Sequence, residues 1–417
     1  MDVAAVRWLA SPEGFAALQE LPPYRPGHEL ADLDRLRGAG HTPEQAAALL
    51  TQARLRDRAR AKFGEFADGM LFTADGLEQA SRLEVAAVHA QRYAHESLAT
   101  VHDLGCGIGS DAMALSVLGV TVAAIDADPV TARVADANLR PWPDSRAHHG
   151  LAEDFEPPAD PVRDRVGVWL DPARRVSGVA DAAGRTRRVF RLEEMSPPWS
   201  FVREVARVVP ATGVKLSPSL AHSDVPPGAE AQWVSFDGDL VECAVWFGPL
   251  ARRRGRSALI LSSSRPPVQV DEAMGPAGVD VAATAGSVRL ADLGGYLYEP
   301  DRAVTRAGLL GAVIGRTGGV EIEPGLGYVG AAVAVDVPFA RRFRVTEAMP
   351  FNIKSLRAWL RARGITGVTL KKRGIRIDED QLRRDLRIGR KAGTGDQVTL
   401  VLTRVAGQPA VLVVQPD

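Results

Sequence analysis

A chain of 417 residues, 46% apolar and 24% charged, is too long for one compact core and too apolar to stay disordered, so two or three packed domains are expected. No stretch reaches the roughly 18 uninterrupted apolar residues of a membrane-spanning helix, and Arg7, Pro12 and Glu13 break the opening segment where a secretory leader needs an apolar run. Two cysteines, Cys106 and Cys243, cannot make a disulfide framework or a four-ligand zinc site, so the reading is cytoplasmic and without a metal.

Residues 1–95 read as a helical region. Thr42-Pro43-Glu44-Gln45 is a helix start, with a threonine cap, proline at the first helical position and an acid following, and strong helix formers run on from Ala46 to Arg60. A second helix is expected from about Asp75 to His95. From His102 the period changes. Short apolar runs that end in acidic or loop residues alternate with helical stretches, the pattern of a parallel, doubly wound sheet. Strands are expected at Ala99–Leu104, Val120–Ile125, near Ala147, at Val166–Leu170 and at Gly213–Leu216. Gln232–Phe236 and Leu240–Phe247 then flank Asp237-Gly238, a two-residue hairpin signal. A further strand is expected at Ala258–Leu261, whereas 268–340 is rich in Gly and Ala and shows no clear period. In the last part, Ile353, Leu356, Trp359 and Leu360 fall on one face of a helix over Phe351–Arg363, closed by Gly364. Strands follow at Val368–Leu370, Val398–Leu402 and Ala410–Val414, with Gln381–Leu386 helical between them.

The chemistry-bearing segment is Asp103-Leu104-Gly105-Cys106-Gly107-Ile108-Gly109, directly after the first strand and before a helix over Asp111–Leu118. Glycines let the backbone turn sharply there and approach a ligand without interference from Cβ. Asp126 ends the second strand, 17 residues after Gly109, where a carboxylate can accept both ribose hydroxyls of a nucleoside; Asp154 follows the third. Each acid sits at the carboxyl end of a separate strand, the edge at which open α/β sheets bind ligands. The alternate glycines, with an acid two residues ahead of the first, resemble the first S-adenosylmethionine (SAM) motif of class I methyltransferases. An NAD site would show G-x-G-x-x-G/A, and residue 110 is Ser.

Asp171-Pro172-Ala173-Arg174 ends the fourth strand and resembles the fourth motif of those enzymes, where acceptor and methyl donor meet. Relatives that methylate amino groups have an aromatic fourth residue; Arg174 departs from that and suits a base or a phosphate. Ser196-Pro197-Pro198-Trp199 resembles a rival string, but serine and proline ahead of Trp199, Val202 and Val205 read as a helix start. Lys215 and His222 follow the fifth strand and are candidates to orient an acceptor or take its proton, or else a structural ion pair and a loop hydrogen bond. Cys106 lies inside the glycine loop and Cys243 in an apolar strand, so a covalent cysteine adduct is not expected.

With these motifs in place the chain resembles bacterial class I SAM-dependent methyltransferases with a C-terminal THUMP-like domain. Phe72–Ser81, Asp171–Arg175, Lys215–Pro218, Met349–Asn352 and Leu370–Gly374 carry the match. The resemblance implies a Rossmann-like parallel sheet with a terminal antiparallel hairpin, a helical N-terminal region and a small α+β basic domain. It implies SAM held by Asp103, Gly105, Cys106, Gly107, Gly109, Asp126 and Asp154, with Asp171, Pro172, Arg174, Lys215 and His222 on the acceptor side. The expected division is 1–95 helical, 96–265 catalytic, 266–340 connecting and 341–417 THUMP-like. From Arg341 to Asp417 there are 17 Lys and Arg against 7 Asp and Glu, although the whole chain has 51 of each, so a basic module is joined to an acidic body. Lys371, Lys372, Arg373 and Arg376 are its candidate phosphate contacts, and the expected partner is RNA. The alternatives are a methyltransferase for a protein or small molecule, and a binding protein that has lost turnover.

Overall fold

The computed structural model describes residues 1–173, 175–180, 186–188, 191–275, 289–293, 295–365, 367–388 and 397–417, with backbone only for 175–180, 186–188, 291 and 397. They group into two compact units, one of Met1–Leu220, Asp224–Glu230 and Cys243–Arg254, the other of Ala221–Ser223, Ala231–Glu242 and Gly255–Asp417.

The first unit begins with helices α1 (Val3–Leu9), α2 (Pro12–Gln19), α3 (Glu29–Gly38) and α4 (Pro43–Phe63). Thr42 and Gln45 form a reciprocal capping box at the start of α4, as the sequence signal predicts. Leu49, Leu55, Phe63, Leu71 and Phe72 share one apolar cluster with Ile108 of the glycine loop, so the helical region is packed onto the loop's back. The single helix expected over Asp75–His95 is two, α5 (Ala74–Gln79) and α6 (Leu83–His95). Between them Ala80 is extended, with φ −57° and ψ 140°, and the Ser81 hydroxyl donates to Asp111 at 2.8 Å. A buried polar bond thus breaks a stretch that helix propensity alone would join.

Strands β1 (Thr100–Leu104), β2 (Thr121–Asp126), β3 (Arg146–His149) and β4 (Val166–Leu170) alternate with α7 (Ser110–Val117) and α8 (Pro129–Asn138). After two short strands, β5 (Arg175–Ala180) and β6 (Thr186–Arg188), come α9 (Trp199–Val208) and β7 (Thr212–Leu216). The hairpin of β8 (Glu230–Phe236) and β9 (Asp239–Trp246) turns at Asp237 and Gly238, both with positive φ. In the first unit the order is β3-β2-β1-β4-β7-β9. The pairings of β1 to β4 and β7 are parallel, while the end of β9 lies antiparallel to β7. All five residues of β4 and of β7 are buried, as expected of strands covered on both faces.

In the second unit β10 (Gly255–Leu261) pairs antiparallel with β11 (Val268–Asp271). A seven-stranded sheet then takes β12 (Gly295–Pro300), β13 (Val320–Glu321), β14 (Val329–Ala331), β15 (Ala340–Pro350), β16 (Gly367–Lys372), β17 (Gln397–Val405) and β18 (Gln408–Pro416) in the order β13-β14-β12-β15-β18-β17-β16. Part of the unparsed stretch therefore builds the same sheet as the basic module. Helices α10 (Arg302–Arg306), α11 (Leu310–Thr317), α12 (Ile353–Ala362) and α13 (Glu379–Leu386) complete the unit. Leu356 and Leu360 of α12 pack with Leu382 and Leu386 of α13 against β17 and β18. Among the described residues no helix is long and apolar enough to cross a membrane.

Candidate active site

The loop between β1 and α7 is shaped by its contacts. Gly105 has φ +92°, and a Cβ there would stand 2.7 Å from the carbonyl oxygen of Asp171, so only glycine lets the two strand ends approach. The amides of Gly105 and Cys106 donate to the carbonyl of Ile125 at 2.9 and 3.0 Å. Asp126 takes the next amide. Its Oδ2 accepts from Gly107 at 2.8 Å and its Oδ1 from Asp128 at 2.9 Å. Burial raises its pKa, and those two amides work against the rise. From behind, buried Asn138 donates to the carbonyls of Ile108 and Leu71 at 2.9 and 3.0 Å, and accepts from the Leu71 amide at 2.7 Å. Asp154 is exposed on a one-turn 3-10 segment after β3, its carboxylate 3.4 Å from the Leu151 amide.

Asp103 is 1% exposed. Neither of its carboxylate oxygens accepts a hydrogen bond among the described residues. Burial, and next the charges of Asp111 and Asp171, push its pKa well above the usual carboxylate value. A buried carboxylate with no donor is costly unless a cation completes it. At this fork between β1 and the glycine loop, the donor set fits an amino acid's ammonium group.

Asp171 ends β4, its amide donating to the Leu104 carbonyl at 3.1 Å. Its Oδ2 is ion-paired with the ammonium of Lys215, which is 7% exposed. Pro172 is buried, and Arg174 lies outside the described residues. Ala173 and Ser196 exchange backbone hydrogen bonds of 2.7 and 3.1 Å. The Ser196–Trp199 string leads into α9, but with Pro198 and not Ser196 at the cap position, and Ser196 borders the acceptor-side segment, the side to which the string's resemblance also pointed. Lys215 is 3.3 Å from the hydroxyl of Ser81. Asp111, which holds that hydroxyl through Oδ2, also meets Nδ1 of His89 at 2.8 Å through Oδ1. Burial works to raise the Asp111 pKa, yet the hydrogen bond and charge of His89, with Lys215 and Ser81, bring it below its usual value. Sequence reasoning missed Ser81, His89 and Asp111. An acid in a helix's first turn is ordinary, which concealed Asp111. A histidine amid the buried Val85, Ala86, Ala90 and Tyr93 was the available signal.

Cys106 is buried, and burial first, then Asp103, drives its thiol pKa well up. Cys243 is fully buried in β9.

Residues 340–416 match the family model described as THUMP domain-like, and residues 2–59 one described as a domain of unknown function, DUF8688. Two uncharacterized SAM-dependent methyltransferases of Mycobacterium tuberculosis, from strains CDC 1551 / Oshkosh and ATCC 25618 / H37Rv, are each 31% identical to the chain over 360 residues, spanning 83% of it and 90% of the relative. The protein belongs to the SAM-dependent methyltransferases. Its fold is shared with the crystal structure of a provisionally named methyltransferase from Porphyromonas gingivalis W83, with a TM-score of 0.70 at 19% identity over 100% of this chain and 98% of that one.

The methyltransferase's remaining candidates lie in the second unit. Nε2 of His222 is 2.8 Å from the Arg306 carbonyl and Nδ1 is 3.1 Å from the Arg256 guanidinium, so both ring nitrogens are engaged. In β16, Lys371 pairs with Glu299 at 2.5 Å. Arg373 donates to the Leu326 carbonyl at 3.0 Å, lies 4.6 Å over the Tyr328 ring and sits 3.9 Å from the same Glu299. Lys372, which reaches the Ile377 carbonyl at 3.0 Å, and Arg376 are exposed. The four basic residues therefore divide into two held inward and two facing solvent.

Proposed function

We propose that this methyltransferase modifies RNA by direct in-line transfer, with no covalent cysteine adduct. The observation that carries the choice of acceptor is that the THUMP-like match, residues 340–416, falls on the segment with a net surplus of ten positive charges, 17 basic against 7 acidic residues from Arg341 on. Bound SAM supplies a methyl group on a positive sulfonium, so the protein's work is placement and charge.

In this reading Asp103 takes the cofactor's ammonium, and the bare turn at Gly105, Cys106, Gly107 and Gly109 admits its amino-acid portion. Asp126 serves the ribose while bracing the loop, and Asp154 serves the base. Asp171, with the carbonyl of Pro172, orients the acceptor. The Lys215 ammonium, paired with Asp171, holds that carboxylate in place to accept a proton from the acceptor. Arg174 is assigned to acceptor phosphate from its sequence position alone. His222, with both nitrogens engaged in the second unit, is given no proton to move. The deeply buried thiols of Cys106 and Cys243 offer no thiolate to attack a base. Functionally we divide the chain into a helical support over 1–95, a catalytic part over 96–265, a connecting part over 266–340 and an RNA-binding part over 341–417.

Tritium transfer from methyl-labelled SAM into total RNA tests the acceptor. Label in RNA is the expected result. Label that enters protein and spares RNA overturns the reading.

A further inference from the structure

Behind Asp171 runs a line of four buried polar side chains, Lys215, Ser81, Asp111 and His89, whose donors and acceptors alternate without conflict. Asp111, ionised, only accepts, so His89 carries its proton on Nδ1 and the Ser81 hydroxyl points its hydrogen at Asp111. That leaves the Ser81 lone pairs to receive a Lys215 proton at 3.3 Å, while the same ammonium pairs with Asp171. Ser81, His89, Asp111 and Lys215 are 6, 2, 7 and 7% exposed, so water does not compete for these bonds. His89 is fixed in turn by Trp169 and Trp246, whose rings lie 4.6 and 5.7 Å from its own.

We propose that Ser81 and Asp111 are positioning residues that hold the Lys215 ammonium on the Asp171 carboxylate, with His89 locking Asp111 from its far side. This rests on the reading of Asp171 as the acceptor-side acid. The need for such a device follows from the charges. The charge of Lys215 acts on Asp103 and Asp111 as well as on Asp171, and Lys62 is a positive neighbour. A lysine is a point charge on a flexible stem. Left to itself it would be shared with Asp103, the acid that must stay open for a cation. Anchoring through Ser81 directs it to Asp171 and makes the break between α5 and α6 a functional feature, since a continuous helix would carry Ser81 away from Asp111.

The test uses the full chain with nitrogen-15 lysine, and the six lysines keep the spectrum simple. Hydrogen-bonded ammonium groups shielded from water exchange slowly, so half-buried Lys62 and buried Lys215 should give sharp signals at mildly acidic pH, well below the Lys62 pKa, which burial lowers to about 8. Lys62 donates to the carbonyls of Leu77, Glu78 and Ala80 at 2.8, 2.7 and 3.0 Å and reports on the integrity of the surrounding fold. Loss of the Lys215 signal in Lys215→Met assigns it. Ser81→Ala and Asp111→Asn should speed its exchange by about tenfold, the scale of one hydrogen bond to a charged group, while Lys62 stays slow and Ser81→Thr restores the wild-type rate. Single-turnover methylation should slow in Ser81→Ala with SAM affinity within about twofold of wild type, the pattern of lost positioning. If Asp111→Asn does not fold, Ser81→Ala decides alone. Unchanged Lys215 exchange in a folded Ser81→Ala protein overturns the proposal whatever the acceptor is. Faster exchange with no label reaching RNA upholds the positioning and removes the RNA reading.

Discussion

Asp103 shows at the scale of one residue how a binding role and a stability cost coincide. Its pKa is raised in the folded protein, chiefly by burial. A raised folded pKa means that the group's contribution is fully present below the unfolded value, near 4, and is lost as the pH climbs through the folded value. The cofactor-free protein should therefore lose stability from acid toward neutral pH on this account. Asp103→Asn should remove that slope and raise the melting temperature of the cofactor-free protein at pH 8 by a few degrees, about what 1–2 kcal/mol gives in a chain of this size. The same variant should weaken SAM binding by about tenfold or more, because an amide does not neutralise an ammonium. Calorimetry across pH adds a sign. SAM affinity in the wild type should rise with pH as binding drives a proton off Asp103, and Asp103→Asn should flatten that dependence. A variant that binds SAM as wild type does would remove Asp103 from the seat.

Among the elements, the helical region and the glycine loop form one mechanical piece. Asn138 on α8 ties Leu71 to Ile108 with three buried hydrogen bonds. Gly76 at the heart of α5 lies so close to the loop that a Cβ would come within 2.4 Å of the Ile108 side chain. Asn138→Ala leaves one amide and two carbonyls buried without their partner, and should destabilise the first unit by about 2–4 kcal/mol. Chemical denaturation followed by tryptophan fluorescence would register this as a lower midpoint with an unchanged slope. The loss should extend to SAM affinity, since the Ile108 carbonyl is part of the loop. A variant destabilised as expected but binding SAM normally would show that the helical region supports the fold without shaping the seat.

For the molecule as a whole, the question is whether the basic surplus is an electrostatic footprint. Lys371 and Arg373 lie around Glu299, so their charge is partly spent within the second unit. Lys372 and Arg376 are exposed. Lys372→Ala and Arg376→Ala together should lower the slope of log affinity against log salt for RNA by about 1.4, at roughly 0.7 per phosphate contact on a single strand. Lys371→Ala should chiefly lower thermal stability. Equal slopes in wild type and the exposed double variant would mean that RNA does not meet this edge of the sheet.

The cofactor chemistry was largely legible from the residues in order. The glycine loop, Asp126 and the Asp171 segment are set by short-range constraints, namely a turn that tolerates no Cβ and acids placed where strands end. The hairpin at Asp237-Gly238 was legible for the same reason, because positive φ at two successive residues is a local demand. What the order of residues left undetermined depends on partners distant in the chain. The two- to six-residue strands β12, β13 and β14 have little period of their own, and β12 gains its place by pairing with β15, some 45 residues on. Ser81, His89 and Asp111 look like a helix residue, a core histidine and a first-turn acid until folding brings them to Lys215, 134 residues from Ser81. Local propensity can be read along a chain, whereas burial and the donor that satisfies a buried acid belong to the packed molecule alone.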